Sequence, residues 1–218
     1  MKRSLIIANW KSHKTVSEAE AWFAAVASEM PVQQPEVVLC PSFPLLSLCK
    51  TLIKRYNLPW QLGAQNVSAF PEGKHTGEVN AVQLKDFVSY VLIGHSERRK
   101  ELQETDDILF EKMKRAQEVG LTPIFFVQNK ETLLPNAVGI VAFEPVFAIG
   151  TGNPDSPEHA EEIAKYLKTV KQIPTVLYGG SVDHKNVSLF LSEGLLDGVV
   201  PGTASLDPKE FVQLINNA

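Results

Sequence analysis

The sequence predicts an α/β fold of eight parallel βα units, and three observations carry that reading. Short apolar, β-branched runs alternate with longer amphipathic segments along the whole chain. No two runs are joined by a two-residue turn, which argues for parallel crossovers over hairpins. Eight runs in 218 residues leave roughly 27 residues per unit, room for a strand, a helix and two loops. Two closures fit: an open doubly wound sheet or an eight-stranded (β/α)8 barrel. Eight units of this size fill the length, which favours the barrel. No Pro/Ser-rich linker or shift of composition divides the chain, so residues 1–218 read as a single barrel domain.

The strands are predicted at Ser4–Asn9, Glu36–Cys40, Trp60–Ala64, Tyr90–Gly94, Thr122–Val127, Val138–Phe143, Pro174–Tyr178 and Asp197–Val200. Helices are predicted at Ser17–Met30, Leu45–Tyr56, Ala81–Val88, Thr105–Val119, Pro157–Val170, His184–Glu193 and Pro208–Asn217. Ser156-Pro157-Glu158 has the form of an N-cap followed by proline at the first helical position, and Gly120 and Gly194 stand where helices end. One interval is too short. Between the fifth and sixth strands lie only Asn129 to Ala137, with Pro135 among them. A parallel crossover usually takes about a dozen residues or more, so the helix between strands 5 and 6 is expected to be reduced or missing, at most a turn around Lys130–Leu133.

Composition narrows the function. At 44% hydrophobic and 21% charged residues, the chain has the make-up of a folded soluble protein. No apolar run approaches the roughly 18 residues a membrane span needs, and Leu5–Ala8 is too short for a secretory core. A net charge of −4 supplies no cationic field for nucleic acid. Cys40 and Cys49, without an export signal or a C-x-x-C, read as reduced thiols of a cytoplasmic protein.

In parallel α/β folds chemistry collects at the carboxyl ends of the strands. There the sequence places Asn9-Trp10-Lys11, Gln65-Asn66, His95-Ser96-Glu97, Glu144-Pro145, Gly179-Gly180-Ser181 and Gly202-Thr203-Ala204-Ser205. Each alone has a bland reading as a solvated or locally paired side chain, and the glycine tripeptides are ordinary turns. Together they give one rim a lysine, a histidine, a carboxylate and glycine turns whose N–H groups suit a phosphate dianion. A carboxylate beside a long Gly-containing loop suits a general base desolvated by a lid. An opposed histidine can hydrogen-bond a carbonyl oxygen as charge develops on it. No metal-ligand spacing, nucleophile elbow or dinucleotide fingerprint is present, so no metal and no cofactor is expected. Proton abstraction next to a carbonyl of a small phosphorylated substrate is the chemistry these residues suit.

Six strings identify a resemblance. Asn9-Trp10-Lys11, Gly63-Ala64-Gln65-Asn66-Val67-Ser68, Thr76-Gly77-Glu78, Ile93-Gly94-His95-Ser96-Glu97-Arg98-Arg99, Glu144-Pro145-Val146-Phe147-Ala148-Ile149-Gly150-Thr151-Gly152 and Tyr178-Gly179-Gly180-Ser181 resemble the triosephosphate isomerase family, in order along the chain. The resemblance implies a (β/α)8 barrel that interconverts dihydroxyacetone phosphate and D-glyceraldehyde 3-phosphate through an enediolate. Glu144 would be the base, His95 the neutral electrophile, Lys11 the cation that stabilises phosphate and enediolate, and Asn9 the group that orients the carbonyl. Glu97 would position Lys11. Backbone N–H groups of Gly150, Ser181, Gly202 and Thr203 would hold the phosphate. Pro145, Val146, Phe147, Ala148, Ile149, Gly150, Thr151 and Gly152 would form the lid, held closed by Tyr178 and Ser181, with Ile149 pressing on Glu144. This family is a standing example of closing lids and tuned pKa values, so those devices come with the resemblance. The loop Ala69–Thr76 implies a homodimer in which it backs Lys11 and His95 of the partner, with a tetramer left open.

The chain departs from the family pattern at several places. Phe147 replaces a tryptophan; Phe126 replaces a cysteine and Gln128-Asn129 a Gly-Glu pair; Val200-Pro201-Gly202-Thr203 replaces Leu-Val-Gly-Gly. Thr203 is expected to be strained if its position needs φ > 0, and Val200 to be a smaller wedge over Glu144. Two competing functions remain at this point: a non-catalytic barrel relative that binds phosphorylated small molecules, and a barrel isomerase acting on an amino-sugar phosphate. The second lacks support, since the Asn9/Lys11 and His95–Arg99 strings do not belong to it.

Overall fold

A computed structural model describes residues 3–31, 34–146 and 154–218. Its eight strands are β1 (Leu5–Asn9), β2 (Glu36–Cys40), β3 (Gln61–Ala64), β4 (Tyr90–Ile93), β5 (Thr122–Val127), β6 (Ile140–Phe143), β7 (Thr175–Tyr178) and β8 (Gly198–Val199). All pair in parallel and in chain order, and β8 pairs with β1 to close the barrel. Gly198 makes that closure sterically feasible: a Cβ there would lie 1.9 Å from the Leu5 carbonyl oxygen. Alternation along the strands sorts the core into two layers. Ile7, Val38, Leu92, Ile124, Phe126, Ala142 and Leu177 fill the barrel interior. Ile6, Val37, Val91, Phe125, Val141 and Val176 face outward, onto the helices.

The surrounding helices are α1 (Val16–Ala27), α2 (Leu46–Arg55), α3 (Ala81–Leu84), α4 (Ser96–Glu101), α5 (Asp106–Glu118), α6 (Pro157–Thr169), α7 (Val187–Leu191) and α8 (Pro208–Asn217). Side-chain caps set most starts. Thr15 and Glu18 form a reciprocal capping box, Ser156 accepts from the His159 N–H ahead of Pro157, and Asp207 accepts from the Glu210 N–H. Gly120 and Gly194 follow α5 and α7 with φ of 82° and 75°, the left-handed turn that favours glycine after a helix.

Several expectations need correction. The predicted helix His184–Glu193 is only Val187–Leu191, because the Asp183 carboxylate accepts from the Lys185 and Asn186 N–H groups and diverts that stretch into a turn. The predicted helix Ala81–Val88 ends at Leu84. Strand 6 begins at Ile140 instead of Val138, after a turn with Ala137 at φ 58°. Helix α4 adds to the expected set; His95 caps it by accepting the Glu97 N–H on its ring. Thr203 is not strained: it opens a 3₁₀ turn, Thr203–Ser205, closed by Ser205 on the Gly202 carbonyl oxygen, and its φ is not positive. The positive φ falls on Lys11 instead, at 52°.

Residues 128–139 connect β5 to β6 through turns and bends, with no helix among them. Thr132 organises the segment: its hydroxyl accepts from the Gln128 and Asn129 N–H groups at 3.1 and 3.3 Å and donates to the Asn129 side chain at 3.0 Å. Tethers run to both flanking helices. Gln117 of α5 donates to the Ala137 carbonyl oxygen at 3.2 Å, and Lys130 pairs with Glu162 of α6 at 2.6 Å while lying over the Tyr166 ring. Val138 and Leu134 turn into the core, whereas Leu133 is 60% exposed. No helix among the described residues is long and apolar enough to cross a membrane.

Candidate active site

The carboxyl ends of the strands enclose a cavity of about 380 Å³, lined among others by Asn9, Lys11, His95, Phe126, Glu144, Gly179, Gly180, Ser181, Gly202 and Thr203. Every described residue proposed from the sequence as base, electrophile, cation, carbonyl-orienting group or phosphate cradle therefore lines a single hollow, while Glu97 stands behind it. Gly150 and the lid residues Phe147 to Gly152 lie outside the described residues, as does the expected contact of Ile149 with Glu144. Of the lid, Pro145 is buried and Val146 exposed.

Each functional side chain is placed by its strand end. Gly94, at φ 81°, turns the chain after β4 so that His95 enters the cavity. The His95 Nδ1 accepts the Glu97 N–H at 3.3 Å, which puts the proton of a neutral ring on Nε2. That Nε2 lies 3.1 Å from Glu144 Oε1. The other carboxylate oxygen, Oε2, accepts the Ser96 N–H at 2.8 Å, the first peptide of α4. Glu144 follows β6 directly and is almost completely buried.

Burial is the leading electrostatic force on both groups. It pushes the Glu144 carboxyl up to about 7, against the opposing pull of Ser96 and Lys11. It lowers His95 to about 4; Glu97 opposes this, and Lys11 and Arg98 add to it. The result is an uncharged imidazole beside a carboxylate poised to take or give a proton near neutrality.

Lys11 reaches the cavity from the turn after β1. Its ammonium donates to Glu97 at 2.5 Å, and its own N–H is held by the Asn9 side chain at 3.0 Å. Gln65 bonds the Lys11 and Cys40 carbonyl oxygens, both at 2.8 Å, bracing the left-handed turn. Burial alone would raise Glu97, but the Lys11 hydrogen bond and the nearby His95 and Lys11 charges bring it below the ordinary carboxylate value. Across the cavity the turns after β7 and β8 present Gly179 to Ser181 and Gly202-Thr203. Tyr178, buried and stacked on Phe190, accepts the Asp155 N–H at 2.8 Å and so pins the chain just past residue 153. Sequence reasoning did not single out three features: the Ser96 N–H on the base, the Gln65 brace, and Phe126 against His95. The first two depend on backbone groups, which carry no side-chain signature.

A model of the family described as triosephosphate isomerase matches residues 4–138 and 129–218, and the two matches meet within the β5–β6 connector. The triosephosphate isomerase of Thermus thermophilus is 37% identical over 252 residues, covering all of both chains. That of Dictyoglomus turgidum is 36% identical over 251 residues, again covering all of both. That of Dehalococcoides mccartyi is 34% identical over 248 residues, spanning all of this chain and 97% of the relative.

Proposed function

This chain belongs to the triosephosphate isomerase family, and we propose that it interconverts dihydroxyacetone phosphate and D-glyceraldehyde 3-phosphate by proton transfer through an enediolate. The single observation that carries the catalytic reading is the buried Glu144 carboxylate 3.1 Å from an imidazole whose proton sits on Nε2. Glu144 removes a carbon-bound proton beside the carbonyl and returns it to the neighbouring carbon. His95 donates from Nε2 to the carbonyl oxygen as it gains charge, then moves a proton between the two oxygens. Nothing is oxidised overall, and no cofactor is needed. Substrate oxygen takes the place that Glu144 Oε1 occupies on His95, so the base must leave the imidazole as substrate enters.

Lys11 supplies a compact positive charge for phosphate and enediolate, Asn9 orients the carbonyl, and Glu97 holds Lys11. Gly150, Ser181, Gly202 and Thr203 offer N–H groups to the phosphate, and the lid of Pro145 to Gly152 excludes water, which strengthens each charge interaction inside. In the cytoplasm such an enzyme serves glycolysis and gluconeogenesis. A homodimer through Ala69–Thr76 fits the surface: Phe70 is 50% exposed yet ordered by stacking on His75, and the Lys11 and Glu97 side chains remain 28% and 42% open to solvent. A partner's loop would cover them. Light scattering tests this, since a fully active monomer at micromolar concentration would refute the cross-subunit role.

The decisive assay couples glyceraldehyde 3-phosphate turnover to a reporter. Glu144→Gln is expected to lower kcat by about a thousandfold or more while the fold persists. Unaltered turnover in that variant would refute the assignment.

A further inference from the structure

Two walls of the cavity come from opposite ends of the chain. The turn after β1 carries Asn9 and Lys11, and the turn after β8 carries Gly202 and Thr203. The ladder between these strands is short: Leu5 pairs with Gly198 and Ile6 with Val199. Toward the cavity one further backbone bond continues it, from the Asn9 N–H to the Pro201 carbonyl oxygen at 3.0 Å.

Beyond that bond a side chain takes over. Lys14 donates from Nζ to the carbonyl oxygen of Leu206 at 2.8 Å. Leu206 ends the 3₁₀ turn Thr203–Ser205, in which the Ser205 and Leu206 N–H groups bond back to Gly202 and Thr203 at 2.9 and 3.0 Å. The Ser205 hydroxyl also bonds the Gly202 carbonyl oxygen, at 2.6 Å. A turn closed on itself in this way shifts as one piece, so a grip on Leu206 is a grip on Gly202-Thr203. Lys11 bears on the other end of the turn: a Cβ added to Gly202 would lie 3.4 Å from Lys11 Cε. Two lysines three residues apart thus bracket the cradle, and both have left-handed backbone, with φ of 52° and 72°.

The Lys14 ammonium is held by more than its one acceptor. It lies over the Trp10 and Trp22 rings, 5.1 and 5.8 Å from their centroids, and both rings are buried. Burial pulls its pKa below the ordinary value, opposed by Glu18 in the first turn of α1 and by Asp207, the N-cap of α8. Aromatic faces and a carbonyl acceptor together fix the direction of this cation, which a solvated lysine lacks.

Resting on the isomerase reading above, we propose that Lys14 is a positioning residue for the substrate phosphate. It locks the Gly202-Thr203 turn against the turn that bears Lys11, so that cradle and ammonium meet one dianion at a fixed separation. Lys14 is not among the residues lining the cavity; it acts through Leu206.

The test measures binding of inorganic phosphate by calorimetry, alongside KM and kcat for glyceraldehyde 3-phosphate. Lys14→Met keeps the stem and removes the donor and the charge. It is expected to weaken phosphate binding and raise KM, each about tenfold, with kcat within about twofold of the parent. Lys14→Arg, which can reach the same carbonyl and stack on the same rings, restores most of both. Should Lys14→Met fail to fold, Lys14→Gly suits the left-handed backbone and carries the same expectation. The ratio between variant and parent should persist at high salt, because it reflects geometry; a ratio that vanishes there would reduce Lys14 to a distant charge and overturn the proposal. Unchanged phosphate affinity and KM in a folded variant, or Lys14→Arg no better than Lys14→Met, would overturn it equally. A parent without isomerase activity would instead sink the reading above, while the phosphate calorimetry still judges Lys14.

Discussion

The two connections that flank β5 are built on opposite plans. From β4 to β5 the chain takes residues 94–121 and forms α4 and α5; from β5 to β6 it takes residues 128–139 and forms no helix. The strand pairing does not register the difference. β4 pairs with β5 over Tyr90–Ile93, and β5 pairs with β6 over Ile124–Val127, four residue pairs on each side. The barrel ladder therefore closes whether or not a helix covers it, because the backbone bonds lie within the sheet and the interior layer is filled by its own side chains. What the helix supplies is cover for the outward-facing layer. On the short side Val138 and Leu134 provide that cover, tethered through Gln117 and Lys130 to the helices on either flank.

The two sides also treat carboxylates in opposite ways. On the helical side Glu104 is buried, and burial alone would raise it; the contacts with Lys112 and Arg98 win and hold it below the ordinary carboxylate range. Beyond the short side, Glu144 has no such cation in contact, and burial prevails. One carboxylate supports the fold; the other is kept in a state that costs stability and that the proposed isomerase reading uses for chemistry.

This contrast predicts a graded series. Glu104→Ala strands the buried Lys112 ammonium and is expected to cost about 3–5 kcal/mol in chemical denaturation, the largest effect of the set. If the loss is under 1 kcal/mol, the helical side does not depend on that pair. Next comes Glu144→Gln, with the opposite sign. Its folded pKa of about 7 lies above the ordinary 4.5, so the folded state holds a proton that the unfolded state has released, and stability declines as pH rises between those values. The variant should therefore gain roughly 3 kcal/mol at pH 8 and nothing at pH 4. Equal gains at both pH values would show that burial does not set this carboxyl.

Smaller effects sharpen the comparison. Val138→Ala removes the best-buried apolar side chain of the short connection and should cost about 1–2 kcal/mol. Lys130→Ala breaks an exposed pair and should cost no more than about 1 kcal/mol, shrinking further in high salt. Native-state hydrogen exchange should find the amides of 128–139 less protected than those of α5, since few of them have backbone partners. Equal protection would mean that the connector behaves as part of the helical layer.

Much of this was legible in the chain itself. Period-two apolar runs located all eight strands to within a residue or two, and Ser156-Pro157 and Gly120 marked real helix boundaries, because these signals act over one turn of backbone. The short interval Asn129 to Ala137 foretold a connection without a full helix. Errors arose where a side chain captured backbone from the regular element, as Asp183 does ahead of α7, or where a turn set the phase, as at Ala137. At the site, Asn9, Lys11, Gln65, His95, Ser96, Glu97 and Glu144 could be picked out from their places after strands and Phe126 from its departure from the family pattern, while what Ser96, Gln65 and Phe126 touch could not. A main-chain N–H, an amide brace and a core phenylalanine look the same in sequence wherever they occur.

The sequence alone determined which residue types stand at the strand ends and in what order, since that is a matter of local periodicity. Only the tertiary structure decided that β8 would meet β1, that residues 95 and 144 would come within hydrogen-bond reach, and that both would be stripped of water. Those outcomes depend on contacts between residues far apart in the chain, and the dielectric around a charge is a property of everything packed against it.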